Sequence, residues 1–305
     1  MNELEIIRYG QIDGLRLFLN TVDYRTPHLH SEWELIWVLE NPLSVHCAQA
    51  HYRVEPGQLI LLNPNEPHEF QKITGSCTFA CMQVSPKLLP VSSRLYVDAC
   101  LPHLYLTAHE LEDLKKQLLS VLQRYLRQEQ QYALYCIGQC CMLFYLLLSR
   151  MPSHELTPAQ AASMDKRNAL LKRLVRFVEE NHTGKIKLTD FAEAEGYCVT
   201  YLSHYIKNSM NQTFQEYVTS VRLSSARRSI AAGGKRLLDI CMESGFSDYR
   251  YFCKAFRKQY GMTPEAYRRS NYEKGEFSTS GRSSQSEERF YSREDSLSLL
   301  ETYYP

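Results

Sequence analysis

The sequence predicts a multidomain chain: an N-terminal all-β barrel, a pair of helical elements, and a C-terminal all-α domain made of a duplicated two-helix unit. Three observations predict it. Short strand-like segments parted by turn formers fill residues 1–90, a helical period takes over across residues 108–150, and apolar positions between 188 and 217 recur 49 or 50 residues later. With 305 residues, 44% hydrophobic and 23% charged, the chain is long enough to bury two cores. The expected boundaries are 1–90 for the barrel, 91–151 for the helical dimerisation or packing elements, and 152–165 for a linker. Residues 166–272 form the duplicated domain, and 273–305 a disordered tail.

In the barrel, Leu15–Leu19, Glu34–Glu40, Ser44–Ala48, Gln58–Leu62 and Cys77–Val84 read as strands. Asn41-Pro42, Pro56-Gly57 and the run Asn63-Pro64-Asn65-Glu66-Pro67 punctuate them, through the fixed φ of proline and the tolerance of Gly and Asn for left-handed backbone. Short strands at this spacing predict a small antiparallel barrel or jelly roll.

The helical elements follow as Ala108–Gln128 and Gln131–Arg150. In the first, Leu111, Leu114, Leu118, Leu119, Leu122 and Leu126 recur at steps of three and four. The second is nearly all apolar and needs a partner surface, either the barrel or a second copy of the chain; a homodimer seam is the favoured reading. Its run Tyr132–Leu148 approaches the length of a membrane span, but Gln139 and the Tyr and Cys residues around it predict a buried or interfacial helix and no membrane partner. The N-terminus lacks a basic stretch followed by an apolar run, which predicts a cytoplasmic chain. The ten cysteines stand singly or as the pair Cys140 and Cys141, so reduced, mostly buried thiols are expected.

Residues 152–165, PSHELTPAQAASMD, are polar with two prolines and read as a linker. The Ser-rich, charged stretch Ser278–Ser298 reads as disordered.

Charge is distributed unevenly. Lys plus Arg against Asp plus Glu is 12 to 17 over residues 1–165, 20 to 11 over 166–274, and 3 to 6 thereafter. Positive charge concentrated in one segment of a nearly neutral chain fits a nucleic-acid-binding module. The same segment holds the repeat. Leu188, Phe191, Ala192 and Gly196 return as Leu237, Ile240, Cys241 and Gly245; Tyr201, Leu202, Tyr205, Ile206, Thr213 and Tyr217 return as Tyr251, Phe252, Ala255, Phe256, Thr263 and Tyr267.

Each copy reads as a short helix, a turn containing glycine and a second helix, the plan of a helix-turn-helix. In the second helix of copy one, positions 201, 202, 205 and 206 form the apolar stripe, leaving Thr200, Ser203, His204, Lys207 and Asn208 opposite. In copy two the stripe is Tyr251, Phe252, Ala255 and Phe256, leaving Tyr249, Arg250, Cys253, Lys254, Arg257 and Lys258 opposite. Early side chains on such a face can reach base edges in a major groove, while late Lys and Arg meet phosphates of double-stranded DNA. A solvated face on an ordinary bundle is the competing reading of either helix alone. The same polarity in two copies argues against it. Between them, Thr213-x-x-Glu216 opens a connecting helix with a capping box.

The stretch Ala226–Ser270, ARRSIAAGGKRLLDICMESGFSDYRYFCKAFRKQYGMTPEAYRRS, resembles the second helix-turn-helix of the AraC/XylS family of transcription regulators. The first copy, KIKLTDFAEAEGYCVTYLSHYIKNSMNQTFQEY, is similar but more degraded: Cys198 stands where the family usually has a capping Ser, His204 where it has Arg, and Asn211 where it has Gly. The resemblance implies a sequence-specific, effector-responsive activator that reads two successive major-groove segments and contacts RNA polymerase.

Within the first 70 residues, His28-Leu29-His30-Ser31-Glu32-Trp33-Glu34, Pro56-Gly57 and Pro67-His68 resemble the two cupin motifs, so the barrel is expected to be cupin-like. His28, His30, Glu34 and His68 are types that could ligate a transition metal, since alternate strand residues project to one side. In the regulator family, by resemblance, such positions line an effector pocket without metal. His28, His30, Glu34, Trp37 and His68 are therefore taken first as contacts to a small-molecule effector, with no cofactor and no metal expected. An aromatic wall of Trp33 and Trp37 would suit a sugar or another flat ligand, although core packing is the default for both. The alternatives are a metal-dependent cupin enzyme carrying a DNA-binding appendage, or a metal sensor. The sequence holds no nucleophile triad, phosphate loop or dinucleotide fingerprint to support another enzyme.

Overall fold

The computed structural model describes residues 12–47, 50–274 and 287–303. They form two compact units that divide between residues 168 and 169, and the residues from 287 onward belong to the N-terminal unit.

The N-terminal unit is built on an antiparallel sheet of β1 (Leu15–His28), β2 (Trp33–Glu40), β3 (Leu43–Cys47), β4 (Ala50–Val54), β5 (Leu59–Leu62), β6 (His68–Lys72) and β7 (Cys77–Val84). Its strand order is β4-β3-β6-β1-β7-β2-β5, a cupin-like, nearly closed barrel. A ribbon of β8 (Leu95–Val97) and β9 (Ser153–Glu155) brackets α1 (Ala108–Arg127) and α2 (Tyr132–Arg150). Strands β4 and β6, rich in polar residues, are additions to the sequence reading, and β1 runs nine residues past Leu19. The segments expected as Ala108–Gln128 and Gln131–Arg150 are α1 and α2.

Alternation along β2 explains how the sheet serves two cores. Trp33, Leu35, Trp37 and Leu39 face one core together with the apolar stripes of α1 and α2, whereas Ile36 and Val38 face the barrel interior with Val45, Phe70 and Phe79. The stripe of α1 is Leu114, Leu118, Val121, Leu122 and Leu126, and that of α2 includes Cys136, Cys140, Leu143, Phe144 and Leu147. Phe144 meets the Trp33 ring edge-on at 6.1 Å. A capping box fixes the start of α1: Thr107 Oγ1 accepts from the Glu110 amide at 3.2 Å, and Glu110 Oε2 accepts from the Thr107 amide at 2.9 Å. All ten cysteines are free thiols, and seven of them are buried.

Two expectations about the ends of this unit are corrected. The segment 152–165 is not an irregular linker: it supplies β9, and α3 (Pro158–Asn181) starts inside it, because Thr157 caps the helix by accepting from the Gln160 amide at 3.2 Å. The disordered tail is corrected over residues 287–303, and residues 275–286 lie outside the described residues. β10 (Glu287–Phe290) pairs antiparallel with β1, and α10 (Arg293–Tyr303) packs its fully buried Leu300 into the core beside α1. The physical reason is the β1 edge. β6 pairs with it only from Tyr24 to His28, and β10 takes up Asn20–Tyr24, hydrogen bonds that would otherwise be left open.

The second unit holds α4 (Leu188–Glu195), α5 (Val199–Met210), α6 (Phe214–Ala232), α7 (Leu237–Glu243), α8 (Tyr249–Tyr260) and α9 (Pro264–Lys274). Pairs α4–α5 and α7–α8 are the two copies of the repeat. The connecting helix α6 opens with its capping box and buries Tyr217, Val218, Val221, Leu223, Ala226 and Ile230. Arg222 of α6 donates to the carbonyl oxygens of His182 and Gly184, both at 2.7 Å. Gly245 sits at φ +91°, and a Cβ there would strike the His182 carbonyl, so the turn of the second copy requires glycine.

Candidate nucleic-acid interface and barrel site

The second helix of each copy is fixed at its start. Cys198 Sγ accepts from the Tyr201 amide at 3.4 Å, doing at α5 what a hydroxyl ordinarily does, and Asp248 Oδ1 accepts from the Tyr251 amide at 2.6 Å. Left-handed residues close both helices, Asn211 at φ 52° and Gly261 at φ 73°.

On α5, Leu202, Ile206 and Met210 are buried, while Thr200, Ser203, His204, Lys207 and Asn208 are exposed on the face expected. Tyr201 is 43% exposed, not part of the stripe, and stacks between Tyr197 and Tyr205 at centroid distances of 5.4 and 6.1 Å. On α8, Arg250, Lys254, Arg257 and Lys258 are exposed as expected.

Tyr249 and Cys253 are corrected. Both turn toward the core around Phe252 and Phe256, and the Tyr249 hydroxyl donates to Glu265 Oε1 of α9 at 2.6 Å. Tyr251 takes their place outside, 51% exposed. On α8 Phe252 and Phe256 are buried and Ala255 packs beside them as expected, with Tyr249, Cys253 and Tyr260 on the same core and Tyr251 outside it, because tyrosine at both 249 and 251 gives no basis in sequence for choosing which faces in.

In the barrel, His28, His30, Glu34 and His68 come together, all buried, with their possible ligand atoms within 4.8 Å of one another. β1 and β6 place His28 opposite His68, with ring centroids 4.2 Å apart. The Thr26 carbonyl accepts from His28 Nδ1 at 2.9 Å, and the Glu66 carbonyl from His68 Nδ1 at 2.8 Å. A carbonyl can only accept, so each Nδ1 carries the proton and each Nε2 points inward as a lone pair when the ring is neutral. Among the described residues, Nε2 of His28 has no hydrogen-bond partner, and Nε2 of His68 faces only the carboxylate of Glu34.

Glu34 is the centre of the cluster. Its Oε2 lies 3.1 Å from His68 Nε2 and 3.4 Å from His30 Nε2, while its Oε1 accepts from Gln83 Nε2 at 2.9 Å and from Cys81 Sγ at 3.1 Å. Burial alone would raise its pKa, but His30 and His68 outweigh that and hold the carboxyl well below its ordinary range. Burial, followed by the charge of Arg25, holds His28 well below its ordinary pKa and so keeps it neutral at pH 7. Cys81 and Gln83 escaped the sequence reading. The signal for Gln83 is cross-strand register, since β7 sets it opposite Glu34.

Trp37 is corrected: it is fully buried in the core beneath α1 and α2, on the side of β2 opposite to Glu34. Trp33 lies in the same core, so the aromatic wall imagined for a sugar is absent from the cluster.

A cupin-like barrel with a buried polar cluster, joined in one chain to two helix-turn-helix units, defines a ligand-responsive DNA-binding regulator. Residues 11–136 match the AraC-like ligand binding domain, and residues 191–270 match a helix-turn-helix domain. The chain belongs to the AraC family of helix-turn-helix, DNA-binding transcriptional regulators. It is similar to the HTH-type transcriptional regulator YbfI of Bacillus subtilis, 24% identical with 72% of this chain and 78% of that one covered. The HTH-type transcriptional activator RhaS of Pectobacterium carotovorum is 22% identical, with 84% and 94% covered. Among solved structures, ToxT of Vibrio cholerae with a bound unsaturated fatty acid is 14% identical, with 86% and 97% covered and a TM-score of 0.41.

Proposed function

We propose that the chain is an effector-responsive transcription activator that reads two successive major-groove segments with α5 and α8 and responds through its barrel. The observation that carries this reading is the repeated polar face: Thr200, Ser203, His204 and Lys207 on α5, and Arg250, Lys254, Arg257 and Lys258 on α8. On α8 the order of side chains suits the task, with Arg250 and Lys254 early enough to reach base edges and Arg257 and Lys258 in the last turn for phosphates. Tyr201 and Tyr251, outside where apolar residues were expected, add aromatic surface to both faces.

The barrel cluster is the position at which a small effector changes the state of the regulator, without turnover. Activation is supported by the activator RhaS among the relatives, and the cytoplasm and contact with RNA polymerase follow from the family reading. The dimer seam is the outer face of α2, where Leu134, Met142 and Tyr145 are 72%, 57% and 68% exposed along one side of an otherwise core-packed helix. Leu134 and Met142, together with Arg124, Gln130, Gln131, Tyr135 and Gln139, line a hollow of about 590 Å³. Exposed apolar side chains set among glutamines and an arginine, on a helix already anchored to its own core, fit a two-fold contact with a second copy.

The test is a reporter driven by promoters recovered from genomic fragments that the purified full-length protein retains. Arg250→Ala with Lys254→Ala should abolish the response at those promoters. A reporter that responds equally to the wild type and the double variant would refute the reading.

A further inference from the structure

We infer that the barrel cluster is a binding site for one divalent first-row transition-metal ion, held by Nε2 of His28, His30 and His68 and by Oε2 of Glu34. The inference rests on reading the barrel as the responsive unit, and it names the ligand class of that unit.

Size is the first argument. Around an ion bound at about 2.0–2.2 Å, neighbouring nitrogen and oxygen donors stand roughly 3 Å apart, and opposite donors about 4 Å. The four side chains already bring their donor atoms within 4.8 Å of one another. A sugar-sized molecule would not fit among them, while an ion needs only small movements.

Donor preparation is the second. Both histidines on the β1–β6 pair have Nδ1 tied to a backbone carbonyl, which fixes the tautomer that offers Nε2. The His28 Nε2 atom is buried and without a hydrogen bond among the described residues, an arrangement that is costly unless something accepts the lone pair, and His68 Nε2 faces only the Glu34 carboxylate, 3.1 Å away. Glu34 is held by Gln83 and Cys81 through Oε1 alone, which leaves Oε2 turned to the histidines. Glu66, whose carbonyl orients His68, is itself fixed by Asn63 at 2.9 Å and Tyr96 at 3.0 Å. Such outer contacts are what keep metal ligands aligned.

Chemistry is the third. Three imidazoles and one carboxylate suit Mn, Fe, Co, Ni or Zn, and disfavour Ca²⁺ and Mg²⁺, which take oxygen donors. Four ligands leave further coordination positions open for water or for an anionic small molecule. Nothing in the set supplies redox chemistry by itself.

The test uses purified full-length protein stripped with a chelator and titrated with Co²⁺ alone, then with Zn²⁺ in competition. The expected result is one Co²⁺ per chain, visible d–d absorption that Zn²⁺ abolishes, and a melting temperature raised by either ion. His28→Gln and His68→Gln should each lose stoichiometric binding and the thermal shift. Gln83→Leu, which leaves the ligands in place, should bind about 10–100-fold more weakly. Circular dichroism of each variant separates a lost ligand from a lost fold, and Glu34→Gln provides a near-isosteric alternative should a histidine variant unfold.

Wild-type protein that binds no Co²⁺, or His28→Gln and Glu34→Gln variants that bind it as well as wild type, would overturn the inference. Retention of target DNA by the stripped protein is measured in parallel, so that failure of the metal site is distinguishable from failure of the regulator reading.

Discussion

Asn20 in β1 donates its side-chain amide to Glu288 of β10 at 2.8 Å, a contact between buried side chains 268 residues apart. Arg25 Nη1 lies 3.5 Å from the same carboxylate, so a charge from the far C-terminus is neutralised inside the N-terminal unit. In chain order, the DNA-binding unit is therefore an insertion between two stretches of the barrel unit. Glu288→Ala leaves Arg25 buried beside an emptied site and should destabilise the barrel unit by roughly 3 kcal/mol. Chemical denaturation followed at Trp33 and Trp37, both in that unit, measures it.

Removing residues 275–305 should do more than Glu288→Ala. It uncovers the β1 edge at Asn20–Tyr24 and empties the socket of Leu300. The expected outcome is a lower melting temperature and self-association, read by light scattering. A truncated chain as stable and monodisperse as the whole would show that the C-terminal strand and helix are dispensable.

The register of α8 separates two groups of variants. Arg250→Ala and Lys254→Ala should each cost about 1–3 kcal/mol on the preferred sequence and relax base preference, whereas Arg257→Ala or Lys258→Ala should weaken binding to all sequences and reduce the salt slope by about 1. Tyr249→Phe removes the bond to Glu265 and should lower stability by roughly 1 kcal/mol without altering preference. Titrations against a panel of single-base variants distinguish these outcomes.

The outer face of α2 can be tested by charge. Leu134→Glu with Met142→Glu places two carboxylates on an exposed apolar surface while leaving the buried side of the helix intact. Sedimentation should show a dimer for the wild type and a monomer for the double variant, with secondary structure unchanged.

Acid should expose the capping box of α1. Backbone hydrogen bonding at Thr107, then side-chain bonds from Arg150 and Thr107, lower the Glu110 carboxyl to about 2. A depressed folded-state pKa contributes stability above the ordinary carboxylate value of about 4.3, and that contribution is lost as pH falls toward 2. The gap in melting temperature between wild type and Glu110→Gln should therefore be present at pH 6 and close progressively between about pH 4 and pH 2.

Much of this fold is legible in the sequence because periodicity reports burial. Leu114, Leu118 and Leu122 mark the stripe of α1, and the repeat at 49–50 residues locates both helix-turn-helix units before any coordinates. Where burial and polarity part company, the reading falters. β6, His68–Lys72, is a strand of mostly polar residues whose inward members are a histidine and Phe70. β10 begins with two glutamates in a Ser-rich, charged context, and only the open edge of β1, which no local pattern reveals, gives it a partner. Tyr249 and Tyr251 look alike in sequence; Glu265 and the packing of Phe252 decide which turns inward. At the barrel cluster the residue types are plain from the outset, but convergence of four side chains within 4.8 Å, with Cys81 and Gln83 behind Glu34, depends on strand register.

The measurement that bears most directly on the regulator reading is selection of duplex DNA from a random pool by the full-length protein at two salt concentrations, with sequencing of the retained fraction. Two recognition helices in one chain predict an enriched motif of two blocks about ten base pairs apart, persisting at the higher salt. Salt-sensitive retention with no enriched sequence would contradict the account, since it would make the basic unit a general polyanion binder.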